Sequence, residues 1–176
     1  MSSVDKVLAL REGGNVRRCH TMPHLGEYTV GKHSYDAACL ILALHPDPSV
    51  ELLKAVMLHD VPERWLGDLP APAKWYSPNL AGAYSQAEEA VENTWDVGWK
   101  VSRPNDMKWL NAVDRVEFWL WTHDQLAFGN QHITVAKEAV EKWFAENWED
   151  IPAPVQEFIN EFRWKRLPEM RSKDHE

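Results

Sequence analysis

Apolar residues recur at helical spacing through most of this chain, and no stretch keeps the apolar–polar alternation of a half-buried strand for more than a few residues. SVDKVLALRE (3–12) predicts a short first helix, stopped by Gly13 and Gly14. Residues 15–32 hold no sustained period and contain Pro23, Gly26 and Gly31, so they predict an ordered loop. HSYDAACLILALH (33–45) predicts a helix closed by Pro46 and Pro48, and SVELLKAVMLHD (49–60) the next, with Ser49 as N-cap. A proline-rich turn, GDLPAPAKWYSP (67–78), follows. Four further helical segments, 79–99, 104–128, 130–150 and 152–170, are each long enough to cross a small domain. The pattern predicts an all-α, single-domain helical bundle over 1–170 with a loose polar tail, RSKDHE (171–176).

Length and composition sharpen this. A chain of 176 residues buries roughly two-thirds of its unfolded surface, enough for one real core. At 44% hydrophobic and 26% charged it is neither disordered nor fibrous. The formal charge of −8, without a basic patch, argues against polymeric nucleic acid as a partner and leaves room for a small anion in a locally cationic pocket. Two cysteines, Cys19 and Cys39, are too few for a disulfide framework or a thiolate zinc site. The start carries no signal-peptide apolar core, and the longest apolar run, AACLILAL, is too short to span a bilayer. A cytoplasmic protein without membrane partners is expected.

Chemistry enters where the apolar run of the third helix stops. In VMLHDVPERWLGDLPAPAKW (56–75), His59 and Asp60 stand side by side, with Glu63, Asp68 and Lys74 close behind. Asp60 and Glu63 read equally well as a capping box for a short helix starting near Val61. Asp114 is the corroborating residue. It lies in KWLNAVDRVEFWLW, a helix apolar nearly all round, where a lone buried carboxylate costs several kcal/mol unless paired or bound to a cation. Arg115 is its neighbour in sequence but points about 100° away on the helix. His33 opens its own helix, from which its ring can point inward. Together these are two imidazoles and two carboxylates on three helices, a normal ligand set for Mn, Fe, Co, Ni or Zn, and too nitrogen-rich for a dedicated Ca or Mg cage.

The order His33, His59-Asp60, Asp114, within NVRRCH, VGKHS, LHDVPE, GDLPAPAK and NAVDRVE, resembles the HD-domain metal-dependent phosphohydrolases over most of the chain. The set is similar to their small branch, which contains bacterial 5′-deoxynucleotidases and phage dATP triphosphohydrolases. The compact length and the RRCHT segment lean toward the phage enzymes. The resemblance implies an HD-domain helical fold and hydrolysis of a small deoxynucleotide at its α-phosphorus. It also implies one divalent transition metal (Co, Mn, Zn, Fe or Ni), with Mg as a companion of a triphosphate substrate, and a homo-oligomer, dimer or hexamer. Carried over by position, His33, His59, Asp60 and Asp114 hold the metal, and Glu63 orients or deprotonates the attacking water. Arg18 and Lys74 bind phosphate oxygens, while Asp68 sits beside sugar or phosphate.

Elementary chemistry is compatible with these roles. Glu63 lies about one turn beyond His59, within reach of water on the same ion. Metal-bound water loses its proton readily, so a modest base suffices. Arg18 offers a planar fork for phosphate and Lys74 a point charge. One departure touches sugar selection. The bacterial nucleotidases typically carry a tryptophan after the arginine, where this chain has Cys19; the Cys19 backbone or His20 then shapes the sugar pocket, and His20 and His24 are candidates for phosphate contact. Between Asp60 and Asp114 there is no further histidine or cysteine, which argues against a two-metal cyclic-dinucleotide phosphodiesterase. No P-loop, GxSxG or GxGxxG is present. The first expectation is a dATP-type dNTP triphosphohydrolase releasing deoxynucleoside and tripolyphosphate. The alternative is a 5′-deoxynucleotidase acting on dNMP. An alternative of another class is a non-catalytic helical interaction module.

Overall fold

Ser2, Thr29 and Ser49 each accept a hydrogen bond on the side-chain oxygen from the backbone N–H three residues on, and each starts a helix. These are α1 (Ser3–Gly13), α2 (Val30–Leu44) and α3 (Val50–Leu58). The computed structural model describes residues 2–97 and 99–166, and the expected tail at 171–176 lies outside the described residues. After α3 come α4 (Glu63–Leu66), α5 (Ala71–Tyr76), α6 (Pro78–Trp95), α7 (Pro104–Ala127), α8 (Thr134–Asn147) and α9 (Ala153–Arg166). Single 3₁₀ turns at Gln131–Ile133 and Trp148–Asp150 flank α8. Among the described residues there is no strand, only an isolated antiparallel bridge between Arg17 and Thr29, so the fold is all-α. No described helix is long and apolar enough to cross a membrane.

Helix α7, about 36 Å long at 1.5 Å per residue, is the axis of the core. Trp109, Leu110, Ala112, Val113, Val116 and Trp119 on α7 pack with Ala37, Leu40 and Ile41 of α2, Leu52, Ala55 and Val56 of α3, and residues of α8 and α9. Truncating any of the large ones to alanine costs about 2–5 kcal/mol. Ser49 Oγ, besides capping α3, donates to Asp106 at 2.7 Å, which ties α3 to the start of α7. The loop before α2 is held by its own small cluster: Tyr28 stacks on Trp121 at 4.3 Å, over Ile133.

Four boundaries differ from the sequence reading. Helix α2 begins at Val30, not His33, because Thr29 caps it; Gly31 then sits in the first turn with its N–H donating to the Gly14 carbonyl at 2.9 Å. A Cβ on Gly31 would meet that oxygen at 3.0 Å, so a larger residue here would have to push the Gly14 backbone back by a few tenths of an ångström. The turn at 67–78 contains α5 and the start of α6, because the prolines stand at helix starts, where they lack no needed N–H. Asp60 is no capping residue: α4 follows Pro62, with no side-chain cap. The 130–150 segment is broken by its two 3₁₀ turns.

Candidate active site

The start of α2, the end of α3 and the middle of α7 come to a common point. His33 lies one turn into α2 with none of its surface exposed, and His59 caps the C-terminus of α3. Each ring is oriented by its Nδ1. In His59 that atom pairs with the Val56 carbonyl at 3.0 Å, and in His33 with Glu117, a buried acid one turn beyond Asp114 on α7. The Tyr28 hydroxyl also donates to Glu117 Oε2, at 2.5 Å. Fixing Nδ1 in this way leaves Nε2 as the atom facing the site in both rings.

Those two Nε2 atoms are buried without a hydrogen-bond partner. Asp114 Oδ1 lies 3.1 Å from that of His33 and 3.9 Å from that of His59; Asp60 Oδ2 lies 3.7 Å and 3.4 Å away. Donor atoms about 2.0–2.2 Å from one ion stand roughly 3–4 Å from each other. His33, His59 and Asp60 form a group able to hold a metal ion, and Asp114 adds a fourth oxygen at matching range. The donor set and the orphaned nitrogens therefore fit a divalent transition metal.

Electrostatics follow from crowding opposite charges away from water. Burial works against charge on His59, yet Asp60 and Asp114 outweigh it and push the ring up to about 9. For His33, burial and Arg18 oppose the charged ring, but the acids Asp114 and Glu117 on either side of it outweigh them and raise its pKa. Asp60 and Asp114 are both held low despite burial, Asp60 by His59, Arg18 and His33, and Asp114 by the two imidazoles. Glu63 goes the other way: burial, then the charge of Asp60, push it up to about 8. Its Oε2 is buried and unpartnered, and a cation bound alongside would pull that value back down.

The residues expected to touch substrate line the rim. Arg18 pairs through Nη1 with Asp60, and Nη2 stands 3.9 Å from Asp114, so the guanidinium borders the ligand cluster. Its backbone N–H donates to Tyr28 O at 2.9 Å, fastening the loop. Cys19 has a left-handed backbone, φ 57°, and its N–H donates to Asp68 Oδ2 at 3.1 Å; burial raises its thiol to about 12. His20 Nδ1 is 3.5 Å from the same Asp68 oxygen. Lys74 is exposed on α5 and acts electrostatically on Glu63. His24 is held by Met22 O at 3.1 Å and by Trp121, away from the ligand cluster; with Arg17 and His20 it borders a cavity of about 270 Å³.

Sequence reasoning missed Glu117 and Tyr28. The argument that singled out Asp114, an acid inside an apolar helix, applies equally to Glu117, which is 3% exposed. Asp114 is less buried than expected, with 24% of its side chain exposed. Arg115 does approach it, at 4.0 Å.

An all-α bundle with a His–His–Asp group where three helices meet is the architecture of an HD-domain protein. The family described as 5′-deoxynucleotidase YfbR-like matches residues 8–96, just over half of the 176 residues, and the chain belongs to it. A 5′-deoxynucleotidase of Pasteurella multocida (strain Pm70), PM0747, is 29% identical over 87 residues, a match covering 44% of this chain and 44% of that protein. The chain thus spans less than half the length of this curated relative. An HD-domain phosphohydrolase of Listeria innocua superposes with a TM-score of 0.72 at 19% identity, over 98% of this chain and 91% of that one. The cyanophage S-2L HD phosphohydrolase DatZ, solved with dA and one catalytic Zn²⁺, superposes with a TM-score of 0.67 at 16% identity, over 95% and 96%. Both structural likenesses concern the fold.

Proposed function

We propose that the chain is a metal-dependent deoxynucleotide phosphohydrolase. The observation that carries this reading is the pair of buried imidazole nitrogens, each without a hydrogen-bond partner, facing Asp60 and Asp114. An interaction module has no use for this cluster, since holding two imidazoles and two carboxylates together away from water costs free energy that a shared cation offsets. A bound divalent ion supplies an acidified water and neutralises charge on a phosphate. In this reading His33, His59, Asp60 and Asp114 hold the ion, and Glu63 accepts the proton of the attacking water. Arg18 binds phosphate oxygens beside the ion and Lys74 binds them from α5. Asp68, with the Cys19 N–H and His20, borders the sugar.

The leaving group separates two readings. A dATP-type dNTP triphosphohydrolase is favoured by the exposed Lys74 and the half-exposed His20, which offer a polyphosphate chain further cationic and hydrogen-bonding contacts outside the ligand cluster. A 5′-deoxynucleotidase is favoured by the family match and by the Pasteurella relative. Incubating purified protein with each dNTP and dNMP in the presence of Mn, Co or Zn distinguishes them by product. Tripolyphosphate from dATP supports the first reading, and phosphate from dNMP the second. Absence of turnover with every substrate and metal, together with protein that retains no metal, overturns both.

A further inference from the structure

Helix α6 carries no fully buried residue, yet one of its side chains reaches two of the segments that rim the cleft. The Tyr84 hydroxyl donates to the Gly67 carbonyl, in the turn that leads directly into Asp68. Gly67 has φ 77°, a conformation only glycine adopts readily, and Asp68 in turn accepts the Cys19 N–H at 3.1 Å. On the other side, the Lys74 ammonium stands 5.3 Å from the centroid of the Tyr84 ring. Burial and the neighbouring charges of Glu63, Glu88 and Asp68 raise the phenol's pKa, so it stays a donor.

Lys74 sits on a six-residue helix with no buried residue, and a lysine stem is flexible. Without a partner its ammonium would spread over many rotamers. An aromatic face restricts it while leaving the charge available to an anion. We propose that Tyr84 is a positioning residue for the substrate phosphate: its ring holds the Lys74 ammonium at the cleft, and its hydroxyl pins the turn that presents Asp68. This rests on the reading of the cleft as a deoxynucleotide site.

The test uses full-length, metal-loaded protein and steady-state kinetics with the deoxynucleotide that the product screen identifies. Y84L should raise KM about three- to tenfold with kcat within about twofold, the size expected for losing one cation–π contact and one hydrogen bond. Metal content should not change, and any fall in thermal midpoint should be small and shared with Y84F, which also loses the Gly67 bond. Y84F, which keeps the ring, should raise KM less. K74M should also raise KM, and the K74M/Y84L double variant should be no worse than K74M by more than Y84F alone costs. Unchanged KM in Y84L, a parallel fall of kcat and thermal midpoint, or fully additive effects in the double variant would overturn the proposal. If wild-type protein turns over no deoxynucleotide, it is the functional reading that fails, and the two failures are distinguishable.

Discussion

The point where α2, α3 and α7 meet and the arm formed by α5 and α6 are held by different forces. His33 is fully buried, Glu117 behind it is 3% exposed, and the three helices that carry the proposed ligand residues share the main core. Neither α5 nor α6 has a buried residue, and Trp75 and Tyr76 on α5 are 65% and 90% exposed. The arm is fastened by the Tyr84–Gly67 bond, by Trp65 against Trp95 at 4.7 Å and by Lys6 on Asp96 at 2.6 Å. A ligand set needs positions fixed to a fraction of an ångström, which only close packing provides. A phosphate-binding lysine needs only a local field, so it can sit on a lightly held element. Metal binding should therefore be expensive to alter and substrate preference cheap.

The sharpest way to break this contrast is to remove a ligand. D114A should reduce bound metal from about one equivalent to near zero by elemental analysis and activity by about 10³-fold or more. Retained metal would show that Asp114 is not part of the set. E63Q should keep the metal and lower kcat by about 10²–10⁴-fold, the range for losing a general base, with KM little changed. A smaller effect is expected one layer out. E117Q should weaken metal affinity by about 10–100-fold, read by competition with a chelator, since His33 then loses the anion that orients it. The smallest perturbation is none at all: in native-state hydrogen exchange, α6 amides should exchange well before those of α7, and chelation should leave α6 rates unchanged. Equal protection of the two helices would erase the distinction drawn here.

How much of this was legible depends on whether the signal was local. Period and caps gave α2, α3 and α7, because Ser49 and the apolar spacing act within one or two turns. Of the proposed metal ligands, Asp114 showed as an acid out of place in an apolar helix and could be found that way without any knowledge of its partners, whereas His33, His59 and Asp60 stood at helix boundaries and were picked out by their order along the chain. Glu117 carried the same signal and was passed over. Tyr28 carried none, since its role arises from a loop folding back on α7. The pairing of Arg18 with Asp60 joins residues 42 positions apart, and no local pattern encodes it. The proline-rich segment misled because proline marks both turns and helix starts, and only the backbone decides between them.

The Gly31–Gly14 contact has a wider reach than the turn it closes. With Val30 N–H on Val16 O and Arg18 N–H on Tyr28 O, both at 2.9 Å, it zips the two ends of the 15–29 segment together main chain to main chain. Such a segment behaves as a cassette: its tip residues, His20 and His24 among them, can be exchanged without moving the arginine at its root or the histidine just beyond it. In the proposed reading, natural variation or laboratory grafting at that tip would retune the surroundings of the substrate while leaving the proposed metal ligands in place.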